Sequence, residues 1–200
     1  MEKITEIKIL EAAKKVFVDK GMDGARMQEI ADQAGINKAL LHYYFRNKAQ
    51  LFDKIFSVAM ESIFNPINES LENDGNLFTF IDTFVDNYIT VLSENPHLPN
   101  FILNEINKNP ERMVKLVSLN LNIAKLKQLI DEGIDNQEII PISIENFLVN
   151  IIGLCVFPIL AKPLISAYFF VSENNNYNTF IQERKKNIPE FIKNALTVKN

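Results

Sequence analysis

Gln28 to Phe45 reads QEIADQAGINKALLHYYF, and the spacing of its residues predicts a helix-turn-helix. Two helices that cross steeply over a short turn need a small side chain at the crossing, and Ala31 supplies one. The turn also needs a residue that enters the left-handed region without a Cβ penalty, and Gly35 follows at the required distance. The predicted core of this unit consists of Ile30, Ala34, Ile36, Leu41 and Tyr44.

The second of these helices has an outer face whose side chains suit DNA. If its apolar residues face inward, the opposite face carries Lys38, Ala39, His42 and Tyr43, with Leu40 at the boundary. Lysine can reach phosphate or guanine, aliphatic side chains can touch thymine methyls, and the two ring groups can donate to phosphate or base edges. We therefore expect this helix to enter the major groove of double-stranded DNA.

Polar residues at the starts of two neighbouring helices are further candidates for phosphate contacts. Lys48 begins the helix that Asn47 can cap, and the N-terminal end of a helix offers free N–H groups and a positive dipole to an anion. Arg26 and Gln28 open the first helix of the motif in the equivalent position.

The rest of the chain also has helical periodicity, and no segment alternates clearly with a period of two. We predict an all-α protein with an N-terminal three-helix unit over residues 1–50 and a larger helical bundle over residues 51–200. A fourth helix, from about Lys48, is expected to connect them. The predicted helices have these bounds: 4–21, 27–34, 38–45, from 48 past 59, 77–92, 101–108, 110–133, 144–160, a short one to 170, and 179–198.

Three details of this scheme depend on single residues. Ile4, Ile7 and Val16 are assigned to one buried stripe of the first helix. Pro158 and Pro163 are expected to kink or end the helix that begins after Ser143. Pro189 is expected to bend or divide the last helix.

Charge is unevenly distributed along a chain of formal net charge −4. Residues 1–50 contain nine Lys and Arg against seven Asp and Glu, a balance of +2, and residues 51–200 contain twelve against eighteen, a balance of −6. An anionic partner should therefore meet the first segment.

Composition argues against several other classes of protein. The single cysteine, Cys155, cannot form an internal disulfide, and no Cys/His cluster has metal-ligand spacing, so neither a metal nor a cofactor is expected. No secretory signal is visible, which favours the cytoplasm. The apolar run over residues 151–171 contains a lysine and two prolines, which argues against a membrane span. No nucleophile–base or carboxylate pair has useful spacing, so we do not expect an enzyme.

The N-terminal segment resembles the TetR/AcrR family of transcriptional regulators from residue 4 to about residue 60. The resemblance is carried by Ile9-Leu10-Glu11-Ala12-Ala13 through Phe17 and Gly21, by Ile30-Ala31 to Gly35, and by Leu41-His42-Tyr43-Tyr44-Phe45 with Lys48. It implies DNA-contacting positions at Met27, Gln28, Lys38, Ala39, Leu40, His42, Tyr43 and Lys48. Where many members have a tyrosine that grips phosphate, this chain has His42.

The resemblance also implies dimerisation through the last two long helices. The interface residues that follow from it are Phe147, Leu148, Ile151, Ile152 and Cys155, paired with Phe180, Phe191 and Ile192 of the other protomer. Aromatic residues at helical spacing usually form core, although some of them could line a ligand pocket. The candidate ligand-binding residues are Phe84, Tyr88, Phe101, Asn120, Phe147 and Asn150.

These observations lead to one main hypothesis and two alternatives. The main hypothesis is a homodimeric repressor that holds operator DNA until a small, mostly apolar ligand in the C-terminal bundle releases it. The first alternative is a small helical enzyme or carrier that uses the N-terminal helices as a scaffold. The second is a helical interaction protein that has lost specific operator binding.

Overall fold

The computed structural model describes residues 2–72, 75–96, 98–118, 121–170 and 176–199. Within these ranges the chain is helical, as the sequence predicts, and its one β-bridge is an isolated pair between Ile139 and Thr197. The helices are α1 (Glu2–Gly24), α2 (Met27–Ala34), α3 (Lys38–Tyr44), α4 (Lys48–Glu72), α5 (Leu77–Glu94), α6 (Leu98–Lys108), α7 (Pro110–Ser118), α8 (Ile123–Asp135), α9 (Ile144–Leu160), α10 (Lys162–Phe169) and α11 (Tyr177–Leu196).

The chain folds into two units, residues 1–61 and residues 62–200. The boundary falls inside α4, so the first unit contains more of that helix than a division after residue 50 would give it. We refer to residues 1–61 as the N-terminal unit and to residues 62–200 as the C-terminal unit.

The core of the N-terminal unit includes the buried side chains of Ile9, Val16 and Phe17 from α1. The ring of Phe17 meets that of Phe52 from α4 edge-on, with 5.6 Å between the centroids. Ile4 and Ile7 are 61% and 48% exposed, so the prediction that they share the buried stripe with Val16 is wrong. At about 100° per residue, Ile4 lies about 120° and Ile7 about 180° from Val16 around the helix.

The helix caps that the sequence predicts at Asn37, Asn47 and Ser143 are confirmed, and a fourth cap, at Asn76, was not predicted. The side chains of Asn37, Asn47, Asn76 and Ser143 each accept a hydrogen bond from a backbone N–H three residues later. Gly21, with φ +67°, interrupts the helical geometry of α1 where the sequence predicts its end. These local signals fixed most helix boundaries to within a few residues.

One predicted helix is wrong. The segment 110–133 forms two helices, α7 and α8, because a cap at Asn122 starts the second one. The side-chain oxygen of Asn122 accepts from the N–H of Lys125 at 3.1 Å, and the Asn122 N–H donates to the side-chain oxygen of Asn68 in α4 at 3.2 Å.

Prolines act differently at three places in the C-terminal unit. α9 ends at Leu160 and α10 follows it, as predicted, while Pro158 lies inside α9 and Pro163 lies in the first turn of α10. Pro189 lies inside α11, which continues through it as one helix and is not divided. α6 begins at Leu98, earlier than predicted, since its first turn accommodates Pro99, which lacks the N–H that a first turn leaves unused.

The core of the C-terminal unit is built where α5, α9 and α11 pack against one another. The buried rings of Phe80 and Phe147 join α5 to α9, with 6.1 Å between their centroids. Ion pairs join α5 to α11, with Lys185 3.1 Å from a carboxylate oxygen of Asp86 and Lys193 bonded to Asp82.

In the described ranges, no single helix is long and apolar enough to cross a membrane. α9 and α10 meet that criterion only when they are taken together, and they are bent by 69° at the break between them.

Candidate functional site

The turn between α2 and α3 is built by backbone conformation and two sets of hydrogen bonds. Gly35 adopts φ +68° and ψ +32°, and the N–H of Ile36 donates back to the carbonyl oxygen of Ala31 at 3.0 Å. The side chain of Asn37 then caps α3 by accepting from the N–H of Leu40 at 2.8 Å. Ala31 and Leu41 are fully buried where the helices meet. The predicted helix-turn-helix is therefore present.

The outer face of α3 carries the side chains that the sequence assigns to it. Lys38, Ala39 and His42 are exposed, Tyr43 is 74% exposed, and Leu40 is 37% exposed. We call these five residues the α3 outer face. They form a single exposed surface because the buried Leu41 fixes the rotation of the helix.

The three candidates before and at the start of α2 differ in exposure. Arg26 is exposed and in extended conformation, and Met27 is half-buried. Gln28 is exposed, and its amide donates to a carboxylate oxygen of Asp32 one turn later at 2.8 Å. Arg26 is thus the candidate cation at this helix start, where free N–H groups favour an anion.

Lys48 has an internal role that its sequence position did not reveal. Its ammonium donates to the backbone carbonyl oxygens of Asp23 at 3.0 Å and Ala25 at 3.1 Å, and its side chain is half-buried. These bonds tie α4 to the α1–α2 turn. Since an ammonium has three donors, one N–H remains for a phosphate.

His42 has a hydrogen bond that limits what its ring can bind. Its Nδ1 atom lies 3.2 Å from the backbone carbonyl oxygen of Arg46. A carbonyl oxygen only accepts, so Nδ1 must carry the proton in this contact. The Nε2 atom of a neutral ring is then an acceptor, and it cannot donate to phosphate as a tyrosine hydroxyl can.

Three of the predicted ligand-binding residues belong to one aromatic cluster, because the ring centroids of Phe84 and Tyr88 lie 5.2 Å apart and Phe80 contacts both Phe84 and Phe147, at 5.6 and 6.1 Å. Phe84 and Phe147 are buried core residues, and Tyr88 and Phe101 are half-buried. Burial raises the pKa of the Tyr88 hydroxyl, which keeps it protonated. Asn150 is exposed on α9, and Asn120 lies outside the described residues.

A cleft of about 270 Å³ lies elsewhere, at the start of α5 and the end of α8. Its polar lining includes Asn76, Lys125, Glu132 and Glu138, and none of the six predicted ligand-binding residues lines it.

Glu105 is a buried polar residue that the sequence analysis missed. It is 4% exposed, and its Oε2 atom is buried without a hydrogen-bond partner among the described residues. The available signal was its position: Glu105 follows Leu98, Phe101 and Ile102 at the spacing of one helix face. A carboxylate at the end of such an apolar stripe is unusual, because burial of a charge is costly.

Four of the predicted interface residues are core residues of a single chain. Phe147, Ile151, Cys155 and Ile192 are at most 7% exposed, since α9 and α11 pack with α5 on that side. Side chains buried within one chain are not free to contact a second protomer, so the structure removes these four residues from the predicted dimer interface. Burial also raises the pKa of the Cys155 thiol to about 12, as fits an unreactive core cysteine.

The remaining interface candidates lie on the outer side of the same two helices. Ile152 is 37% and Phe191 64% exposed, while Leu148 and Phe180 are half-buried. Val149 and Phe157, which the sequence analysis missed, are exposed on α9 as well. The sequence contains a second apolar stripe at helical spacing that includes these residues. It was not recognised because the inner stripe of α9 is also apolar.

Residues 9–55 match the family described as bacterial regulatory proteins, tetR family. The sequence is 24% identical to the probable HTH-type transcriptional regulator YttP of Bacillus subtilis, over 88% of this chain and 87% of that protein. It is 39% identical to the HTH-type transcriptional repressor SCO4008 of Streptomyces coelicolor over 56 residues, which are 28% of this chain and 29% of that repressor.

Solved structures of regulators have the same fold. HlyIIR, a hemolysin II transcriptional regulator, is 25% identical and superposes with a TM-score of 0.69, with all of both chains covered. The transcriptional regulator FadR from Bacillus subtilis, in complex with stearoyl-CoA, is 16% identical and has a TM-score of 0.66, over 90% of this chain and 95% of that one.

Proposed function

We propose that this chain, whose N-terminal domain belongs to the TetR family of bacterial regulators, is a homodimeric repressor that a small, mostly apolar effector releases from operator DNA. The observation that carries the proposal is the α3 outer face, five exposed side chains on a helix that Gly35 and Asn37 hold in position. Such a helix can read base edges in the major groove.

The position of each side chain determines whether we propose that it contacts base edges or the phosphate backbone. Lys38, Ala39 and Leu40 lie in the first turn of α3, which reads base edges in most helix-turn-helix complexes. Arg26, Met27, Gln28, Tyr43 and the remaining donor of Lys48 are proposed to position the protein on the phosphate backbone. Because its partner is chromosomal DNA, the protein is proposed to act in the cytoplasm.

A dimer is proposed because a symmetric operator requires two reading helices. These must meet successive major grooves, roughly 34–36 Å apart. The exposed apolar residues of α9 and α11, including Val149, Ile152, Phe157 and Phe191, supply a surface for a second copy. A ligand that favours a different spacing of the two helices would lower operator affinity without any catalytic step.

The similarities support the regulatory part of the proposal. SCO4008 is a repressor, and the FadR structure contains stearoyl-CoA, a ligand with a long apolar chain. We propose that an apolar portion of the effector of this chain enters the C-terminal unit in the same general way.

Lys38→Ala tests the proposed operator binding. Fluorescence anisotropy should detect tight binding of the wild-type protein to the promoter beside its own gene and weak binding to random DNA. Loss of a base contact should weaken promoter binding roughly tenfold to a hundredfold, since such contacts contribute about 1–3 kcal/mol. Lys15→Ala, which removes the same charge from an exposed position of α1, is the matched control and should have a much smaller effect.

Equal and weak affinity of the wild-type protein for promoter and random DNA would contradict the proposal. If Lys38→Ala binds the promoter as tightly as the wild type, the proposal that Lys38 on α3 reads the operator would be wrong.

A further inference from the structure

Glu105 lies near the end of α6, on the face of that helix that is buried in the C-terminal unit. The earlier positions of the same face are apolar: Leu98 is buried, and Phe101 and Ile102 are half-buried. α6 packs against α7 and α9. The carboxylate is therefore surrounded by protein and follows a strip of apolar side chains.

Among the side chains that the structure describes, none forms an ion pair with this carboxylate. Its Oε2 atom accepts no hydrogen bond from these residues. A carboxylate oxygen that is buried without a hydrogen-bond donor is costly, because it has lost its contact with water and gained no partner. A ligand that donates a hydrogen bond to Oε2 would therefore complete this site.

The other buried side-chain atom without a partner in the described ranges is Nε of Arg184. That guanidinium is partly satisfied, because its Nη2 atom donates to the carbonyl oxygen of Leu154 at 2.9 Å. Of these two residues, Glu105 is consequently the stronger candidate for a side chain whose missing hydrogen-bond partner is supplied by a ligand.

We propose that Glu105 is the polar anchor of the effector site and that the effector carries a protonated nitrogen, an ammonium or amidinium, on an apolar body. The charged nitrogen donates to Oε2, and the apolar body lies along the strip formed by Leu98, Phe101 and Ile102. The inference rests on the proposed function for the existence of an effector. The balance of −6 over residues 51–200 also favours a cation over an anion.

The first test needs no ligand. Glu105→Gln keeps the shape of the side chain and removes the charge, so it should raise the melting temperature of the ligand-free protein by roughly 2–4 °C. Glu61→Gln, at an exposed position of α4, is the matched control and should leave the melting temperature nearly unchanged. A lower melting temperature for Glu105→Gln would mean that the carboxylate has an internal partner, and the proposal would fail.

The second test measures ligand class with three probes of equal chain length: octylammonium, octanol and octanoate. We expect octylammonium alone to raise the melting temperature of the wild-type protein in a concentration-dependent way. Glu105→Gln should bind octylammonium at least tenfold more weakly by calorimetry. Equal shifts with octanol or octanoate, an undiminished response of Glu105→Gln, or no shift with octylammonium would each overturn the proposal.

Operator affinity, measured separately without any probe, distinguishes failure of the repressor proposal from failure of the cation-site proposal. If promoter binding fails while Glu105 still selects octylammonium, the repressor proposal falls and the cation site stands. If promoter binding is specific and the probe series shows no charge preference, the reverse holds.

Discussion

At the scale of single residues, the contact between His42 and the carbonyl oxygen of Arg46 decides which atom of the ring faces outward. The sequence resemblance implies a tyrosine that contacts phosphate at the position of His42, and both residue types can donate a hydrogen bond. The contact with Arg46 uses the Nδ1 proton, so a neutral ring offers DNA only an acceptor. The residue at this position is still exposed, but its neutral ring offers DNA a hydrogen-bond acceptor in place of a hydroxyl donor.

Restoring a hydroxyl at this position should strengthen DNA binding. We expect His42→Tyr to tighten promoter binding roughly tenfold, because the tyrosine hydroxyl can donate to phosphate and a hydrogen bond to a charged group contributes about 1.5 kcal/mol. Anisotropy titrations measure the change. His42→Phe, which adds a ring without a donor, is the control and should bind within about twofold of the wild type. Weaker binding by His42→Tyr would show that Nε2 accepts a bond from a base.

At the scale of elements, α2 and α8 end in the same backbone motif with different residues. The N–H of Ile36 reaches back to Ala31, and that of Glu138 reaches back to Gly133 at 2.9 Å. The turning residue in α2 is Gly35, with φ +68°, whereas in α8 it is Gln137, with φ +59°. A side chain is strained in this region, so one helix end has the favoured residue and the other does not.

Substitutions at these two positions should differ in their effect on stability. Gly35→Ala should lower the free energy of unfolding by about 1 kcal/mol, since open space surrounds the new Cβ and only backbone strain opposes it. Gln137→Gly should leave stability unchanged or raise it by up to about 1 kcal/mol, because relief of strain offsets the added freedom of the unfolded chain. Urea denaturation measures both. A clear loss of stability in Gln137→Gly would show that its side chain contributes to the fold.

At the scale of the whole molecule, α9 has apolar residues on two sides: its inner side packs in the core, and its outer side is exposed. Its inner residues, such as Ile151, complete the core of one chain, while Val149 and Phe157 are 70% and 62% exposed. α11 adds Phe191 on its own outer side. Several large apolar side chains exposed on neighbouring helices are typical of a surface that another chain covers.

A charge at this surface should prevent dimer formation. Val149→Glu should shift the protein from about twice the chain mass toward a monomer of 22.9 kDa, measured by light scattering, and should abolish tight operator binding. Val114→Glu on α7 replaces the same residue at nearly the same exposure, 68%, and should remain a dimer. If Val149→Glu remains dimeric, the interface lies elsewhere.

The sequence by itself determined the features that depend on local chemistry. Gly35 set a helix end, Asn37 and Ser143 set helix starts, and the spacing around Ala31 defined the DNA-reading motif, because these signals act through backbone groups a few residues away.

Only the tertiary structure decided which apolar residues are inside. Two stripes on α9 looked alike in sequence, and packing against α5 and α11 buried Ile151 and left Val149 exposed. In the same way, Asn68 helped to start α8 from a distance, and the packing of α6 buried Glu105 with its Oε2 atom unpartnered in the described ranges. These outcomes depend on contacts between residues far apart in the chain, which periodicity along one helix does not encode.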